Sequence, residues 1–269
     1  LTINGGTLDN TSGSAVTLST NNAQNWNGDF AFAGSKDLNL GTGAVALGGS
    51  RQVTVTAGTL TVGGDISGSF SGLTKAGNGT LVLTGNSTYD GATAVNAGKL
   101  VIGSAGALSS STSVTIGSAG TLSLAYALSG DTTVANTFLG TGLLDLATSG
   151  GTLTLSGLSG FTGSLRLTSG VFDSVGSGWG GNSILLAGGT LADGSLAQHT
   201  GTVTVAQGST LSVTSALPVN LVLTSGATLD FANASGSALT ANLQFAGGTL
   251  ANAAAFAGNL VISGTGVSV

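Results

Sequence analysis

One string, Gly–small–Leu–polar–apolar, returns along the whole chain, and its near-constant interval restricts what such a chain can fold into. It stands at Gly58-Thr59-Leu60-Thr61-Val62, Gly79-Thr80-Leu81-Val82-Leu83, Gly98-Lys99-Leu100-Val101-Ile102 and Gly120-Thr121-Leu122-Ser123-Leu124. It returns at Gly151-Thr152-Leu153-Thr154-Leu155, Gly163-Ser164-Leu165-Arg166-Leu167, Gly189-Thr190-Leu191, Gly248-Thr249-Leu250 and Gly258-Asn259-Leu260-Val261-Ile262, with longer versions from Gly208 and Gly226. The key leucines are 60, 81, 100, 122 and 144, then 191, 211, 229 and 250, and neighbours in each run are 18 to 22 residues apart. Further alternating runs lie between them, such as Val53-Thr54-Val55 and Val203-Thr204-Val205. A unit of about 20 residues therefore holds two or three short strands, each with one face in and one face out.

Two architectures use such a unit. An antiparallel sandwich or barrel needs hairpin turns between neighbouring strands. The Asn-Gly and Asp-Gly pairs at Asn4-Gly5, Asn27-Gly28, Asn78-Gly79, Asp90-Gly91 and Asp193-Gly194 are too few and too irregular to bracket every strand. In a parallel β-helix each unit is one coil, and a side chain stacks over its copy one coil away. The period favours the second: an all-β parallel β-helix, or solenoid, with coils of about 20 residues, forming a single segment over residues 1–269. Glycines would take the tight corners.

Composition agrees. The chain of 269 residues has 48 Gly, 1 Pro, no Cys, no Met and no Glu, and 6% charged residues against about 25% in an ordinary soluble domain. Helix-favouring Glu, Lys, Met and Arg are scarce, while strand-favouring Thr, Val and Ile are kept. At 41% hydrophobic the chain can build a core. No apolar run approaches the roughly 20 residues of a spanning helix, so no membrane insertion of this segment is expected. Net charge of −5 argues against nucleic acid as a partner. Leu1 and Val269 both lie inside repeat-like sequence, so the chain reads as an internal or processed piece of something longer.

A second element is aromatic-x-Gly, at Trp26-Asn27-Gly28, Phe70-Ser71-Gly72, Tyr89-Asp90-Gly91, Phe161-Thr162-Gly163, Phe245-Ala246-Gly247 and Phe256-Ala257-Gly258. The spacing is irregular and four of the six aromatics are Phe. An aromatic covering a corner where the chain turns on glycine fits this better than an aromatic ladder for carbohydrate.

Residues 73–100 read LTKAGNGTLVLTGNSTYDGATAVNAGKL. This stretch resembles the passenger-associated transport repeat, also called the autotransporter-associated β-strand repeat. The resemblance rests on Leu73, Lys75, Gly77, Gly79, Thr80, Leu81, Leu83, Gly85, Asn86, Tyr89, Gly91, Thr93, Gly98 and Leu100. Phe161 to Leu167 and Phe256 to Ile262 look like degenerate copies of its second half. The resemblance implies a right-handed β-helix, carried to the bacterial outer surface as the passenger of an autotransporter-like protein. In that family the repeat is associated with translocation and passenger folding, and whole passengers serve adhesion, aggregation or biofilm formation. The strands of a C-terminal translocator barrel are not in this sequence.

Catalytic chemistry is sparse. His199 is the only histidine, and with serine abundant everywhere its nearness to a hydroxyl carries no weight; a solvated turn residue is the plainer expectation. Polysaccharide-cleaving β-helices cluster carboxylates on one outer face. Here Asp9, Asp29, Asp37, Asp65, Asp90, Asp131, Asp145, Asp173, Asp193 and Asp230 are spread almost evenly. No Gly-Gly-x-Gly-x-Asp calcium repeat occurs, and zero Cys with one His makes a zinc site implausible. Arg51, Lys75, Lys99 and Arg166 form no run and read as solvated outer positions. No catalytic, cofactor or metal residue is therefore expected. The expected role is an extracellular structural or adhesive scaffold that associates with itself, end to end or side by side, or touches a glycan or cell-surface ligand. The alternatives are a filament subunit stacking through open β-helix ends, and a polysaccharide-degrading β-helix.

Overall fold

A computed structural model describes residues 1–110, 113–173, 183–193, 199, 201–213, 220–232, 234, 238–252 and 259–263. The fold is all-β, a parallel β-solenoid of about 10 turns with coils of about 21 residues and, among the described residues, no helix. Every pairing whose register is defined is parallel, which removes the antiparallel alternative. Asn-Gly pairs turn coil corners instead of closing hairpins. At one of them Asn27 Nδ2 donates to Asn4 Oδ1 of the coil before, at 3.1 Å.

The chain forms two compact units. The first comprises Leu1–Tyr126 and Asn136–Leu144, the second Ala127–Ala135 and Asp145–Val269. In the first unit each early coil contributes three strands, as in Arg51–Val55, Thr59–Val62 and Ile66–Ser67. Strands of successive coils pair in register, so a residue meets its equivalent one coil on. The leucine repeat becomes one inward column, Val16, Leu38, Leu60, Leu81, Leu100 and Leu122. A second column, Val62, Leu83, Ile102 and Leu124, runs beside it. From Leu60 and Val62 onward every member of both is at most 1% exposed. Burying each such side chain is worth about 1.5–3 kcal/mol.

The second unit repeats the scheme with two long columns. One is Leu167, Leu186, Val205, Leu223 and Phe245. The other is Phe172, Leu191, Leu211, Leu229 and Leu250. The sequence repeat breaks between Leu144 and Leu191, and Phe172, 1% exposed, fills the column position just before Leu191. Phenylalanine there takes a slot that leucine fills on the following coils. Val16 and Leu38 extend the first column towards the N-terminus in the same way.

Coil length is less regular than the core. Equivalent residues are 24 apart from Val114 to Phe138, 21 from Leu60 to Leu81, 19 from Leu81 to Leu100 and 18 from Leu211 to Leu229. Much of the difference is taken up at the corners. Gly77 shows what a corner demands. Its φ is +78°, and a Cβ there would overlap the Val55 carbonyl of the preceding coil. Gly13 has a similar φ of +86° but open space around it. Gly77→Ala is expected to cost about 2–4 kcal/mol, and Gly13→Ala only the left-handed strain of about 1 kcal/mol. Urea unfolding midpoints of the two variants check this, and equal shifts would contradict the close-contact account.

Candidate functional site

The residues that carry the family resemblance assemble into one coil and the strand that begins the next. They lie on the strands Leu73–Ala76, Thr80–Leu83 and Thr93–Ile102 and in the corners between them, all in the first unit. Leu73, Leu81, Leu83 and Leu100 point inward and are at most 1% exposed. Gly77 and Gly98, with φ of +78° and +64°, turn the same corner on successive coils. Gly79, Gly85 and Gly91 sit where a Cβ would collide with backbone of the coil before. Thr80 lies between Thr59 and Lys99 in register, half-buried.

Tyr89 covers its corner from inside. It is fully buried, and its hydroxyl shares a 2.7 Å hydrogen bond with the buried Thr93 Oγ1. Burial pushes the Tyr89 hydroxyl pKa upward, so the phenol keeps its proton across the physiological range. Asn86 is exposed, and its backbone N–H donates to Asp65 Oδ1 at 2.7 Å.

Lys75 is the main departure from expectation. It is fully buried instead of solvated. Its inward column runs Phe30, Val53, Lys75, Val95 and Ile116, apolar at every other position. The aliphatic stem takes the place of a valine and the ammonium turns to the corner. There Nζ donates to the carbonyls of Ala76, Gly77 and Ala97 at 2.9, 2.7 and 3.1 Å. Three acceptors match the three protons of an ammonium, and the third lies on the following coil. Burial pushes the Lys75 pKa down to about 8, while donation to the carbonyls favours the charged form and works against a further fall. Period-2 alternation from Leu73 already places residue 75 on the inner face; residue type alone misleads.

Two of the other cations are tied down as well, not simply solvated. Arg51 fastens a corner, Nε donating to Trp26 O at 3.0 Å and its two terminal nitrogens to Ser50 O and Gly48 O at 2.8 Å. Arg166 pairs with the buried Asp145 at 2.9 Å, and that hydrogen bond raises the pKa of Arg166. Lys99 is half-exposed. His199 is 2% exposed, not a solvated turn residue. The turn at Gly194 and the aromatic corner at Phe256-Ala257-Gly258 lie outside the described residues.

The even spread of aspartates acquires a reason. Asp29, Asp37, Asp65 and Asp131 each stand immediately before a strand, and each carboxylate accepts a backbone N–H from the following coil. The donors are Gln52 at 2.9 Å, Thr59 at 2.8 Å, Asn86 at 2.7 Å and Thr152 at 2.9 Å. Asn21 Oδ1 does the same for Thr42 at 2.8 Å. Asp9 accepts from Ser35 N and Oγ at 2.9 and 2.6 Å, which holds its pKa below the usual carboxylate value. Asp230 is lowered too, by Asn252 Nδ2 and Ala232 N. The sequence signal is an Asp immediately before a strand, and at Asp37 and Asp131 the amide it serves belongs to a Gly-Thr-Leu one coil on. Among the described residues no three His, Cys, Asp or Glu side chains gather as metal ligands.

A coil built from this residue set, in register with its neighbours, identifies the repeat. Residues 73–102 match the family model of the passenger-associated transport repeat. No curated protein and no solved structure matches the chain. Repeat and parallel solenoid together support an autotransporter passenger β-helix.

Two outcomes follow for stability. A lysine whose pKa is lowered on folding sheds its proton before the unfolded chain does. The cost of burying the charge is thus fully present below pH 8 and is relieved as pH rises from 8 towards the ordinary 10.5. Compared with Lys75→Met, the wild type should gain up to about 3 kcal/mol between pH 7 and pH 10, read from paired urea titrations; a gap that does not move with pH would refute it. At Asp37, loss of the acceptor in Asp37→Ala should cost about 1 kcal/mol. Asp37→Asn, which keeps an acceptor oxygen, should cost less than half of that by the same measurement.

Proposed function

We propose that this chain is a non-catalytic structural and adhesive scaffold, part of the extracellular passenger of a bacterial autotransporter-like protein. The observation that carries the reading is the transport-repeat coil at residues 73–102, set in register within a parallel solenoid. A stacked coil has little chemistry of its own. Its inner side chains make the core, and its charged groups are largely engaged in holding coils together, as at Arg51, Lys75, Asp37 and Asp65. What faces water is a low-charge surface of Thr, Ser and Asn, repeated at the spacing of parallel strands, about 4.8 Å. Such a surface suits extended contact with a cell-surface ligand, or with another copy of the chain, more than it suits catalysis at a point. The spread of aspartates among coil-bridging roles argues the same way against a glycoside-cleaving carboxylate pair.

The test uses the full-length gene product in its own cells. External protease added to intact cells should release or cut the segment containing residues 73–102. A strain lacking the gene should lose adherence or cell–cell aggregation, and the gene in trans should restore it. Complete protection from external protease would end the surface reading. Turnover of a polysaccharide by the purified chain, abolished by a single Asp→Asn change, would end the non-catalytic one.

A further inference from the structure

The aromatics that precede corner glycines do not share one role. Trp26, Tyr89 and Phe161 are fully buried and cover corners from within, whereas Phe70 is 93% exposed. Its φ of +54° lies in the left-handed region, which a bulky side chain adopts only when its surroundings impose it.

The surroundings do impose it. Asp90 N donates to Gly68 O at 3.3 Å, and the very next amide, Gly91 N, donates to Ser71 O at 2.9 Å. Consecutive residues of one coil thus reach carbonyls three residues apart on the coil before, and Ser69 and Phe70 have no counterpart. Coil lengths agree: Arg51 and its register partner Leu73 are 22 residues apart, Leu73 and Thr93 only 20. The extra pair is fixed at both sides. Ser71, 1% exposed, donates from Oγ to Ser69 O at 3.0 Å, and Gly72 N donates to Ser50 Oγ at 3.0 Å. The inside of the corner is already crowded at Gly68. A Cβ on Gly68 would already stand 2.9 Å from both Leu47 Cβ and Ser71 Cβ. The bulge therefore holds an aromatic ring out in water on a rigid mount.

We propose that Phe70 is the stacking platform of a saccharide-binding site, taking a neutral hexose unit of a surface polysaccharide. Among the described residues the ring stands without an apolar collar: the other large exposed hydrophobics, Leu1, Leu18, Leu139 and Leu185, lie on other coils. A protein partner's contact is built from a cluster of anchors surrounded by groups that exclude water, and none surrounds Phe70. What borders the bulge is polar: Ser69 on its own coil, Ser50 and Arg51 on the coil before, Asp90 on the coil after. A pyranose has a C–H face for the ring and hydroxyls around its edge for those groups, the combination of apolar contact with a few fixed polar ones that small-ligand sites use. Arg51 is held in place by its three carbonyl bonds. The chain's net charge of −5 favours a neutral sugar over an acidic one. The site rests on the adhesive reading for its biological role and gives that reading a ligand class.

The purified full chain is titrated calorimetrically with cellohexaose and with maltohexaose. One of the two should bind. Phe70→Ala should weaken that binding at least tenfold, Phe70→Trp should preserve it, and the thermal midpoint of Phe70→Ala should not fall below wild type. Binding of neither sugar, or equal binding by Phe70→Ala, overturns the proposal. If sugars do not bind and Phe70→Ala instead abolishes self-association in sedimentation velocity, the ring is a copy-to-copy contact and the saccharide site is wrong. Protection of intact cells from protease would defeat the surface role while leaving sugar binding by the purified chain untouched, so the two failures are separable.

Discussion

In-register stacking of one coil on the next is the constraint on which everything else in this protein depends. A parallel strand alone buries nothing. Only when Leu60 lies over Leu38 and under Leu81 do the apolar columns close and the backbone groups of both coils find partners. A slip of one residue would carry every inward leucine to the outside. Each coil is therefore held to its neighbour by position as much as by energy. Local irregularity is tolerated wherever the columns are not disturbed.

That constraint explains where the few charges have gone. A parallel ladder leaves ragged hydrogen bonding where a strand meets its corner, because successive corners differ in length. Asp29, Asp37, Asp65 and Asp131 stand at those points, each lending an oxygen to an amide one coil on. Lys75 is the cationic version, donating to carbonyls at a corner shared by two coils. Arg51 secures three carbonyls at another. In a chain with 6% charged residues, much of the available charge is spent on joints between coils.

The columns were legible in the sequence because they rest on residue type and period together. Leu60, Leu81, Leu100 and Leu122 announce themselves, as do the corner glycines of the transport repeat. Phe172 and Leu38 were missed because the slot asks only for apolar volume, which several side chains supply. Lys75 was misplaced for a different reason. Alternation put it inside and charge put it outside, and the free carbonyls that resolve the conflict in favour of burial come from Gly77 and from Ala97, 22 residues on. Bridges such as Asp65 to Asn86 are equally non-local. Phe70 could not be placed at all from its own coil, since its bulge is defined only by comparison with the shorter coil that follows.

That last case points to how a solenoid of this kind acquires a site. The core fixes strand length and direction, so it cannot vary without unstacking its neighbours. Corner length is free within limits: here equivalent residues lie anywhere from 18 to 24 apart. An insertion at a corner therefore costs the columns nothing and pushes new side chains outward at a height set by the coil number. At Phe70 two residues without counterparts on the following coil put an exposed ring on a backbone held in the left-handed region, whereas Trp26 and Tyr89 stay buried. Function on such a scaffold is expected where coil length departs from its neighbours, because only there does the chain display something that stacking did not require.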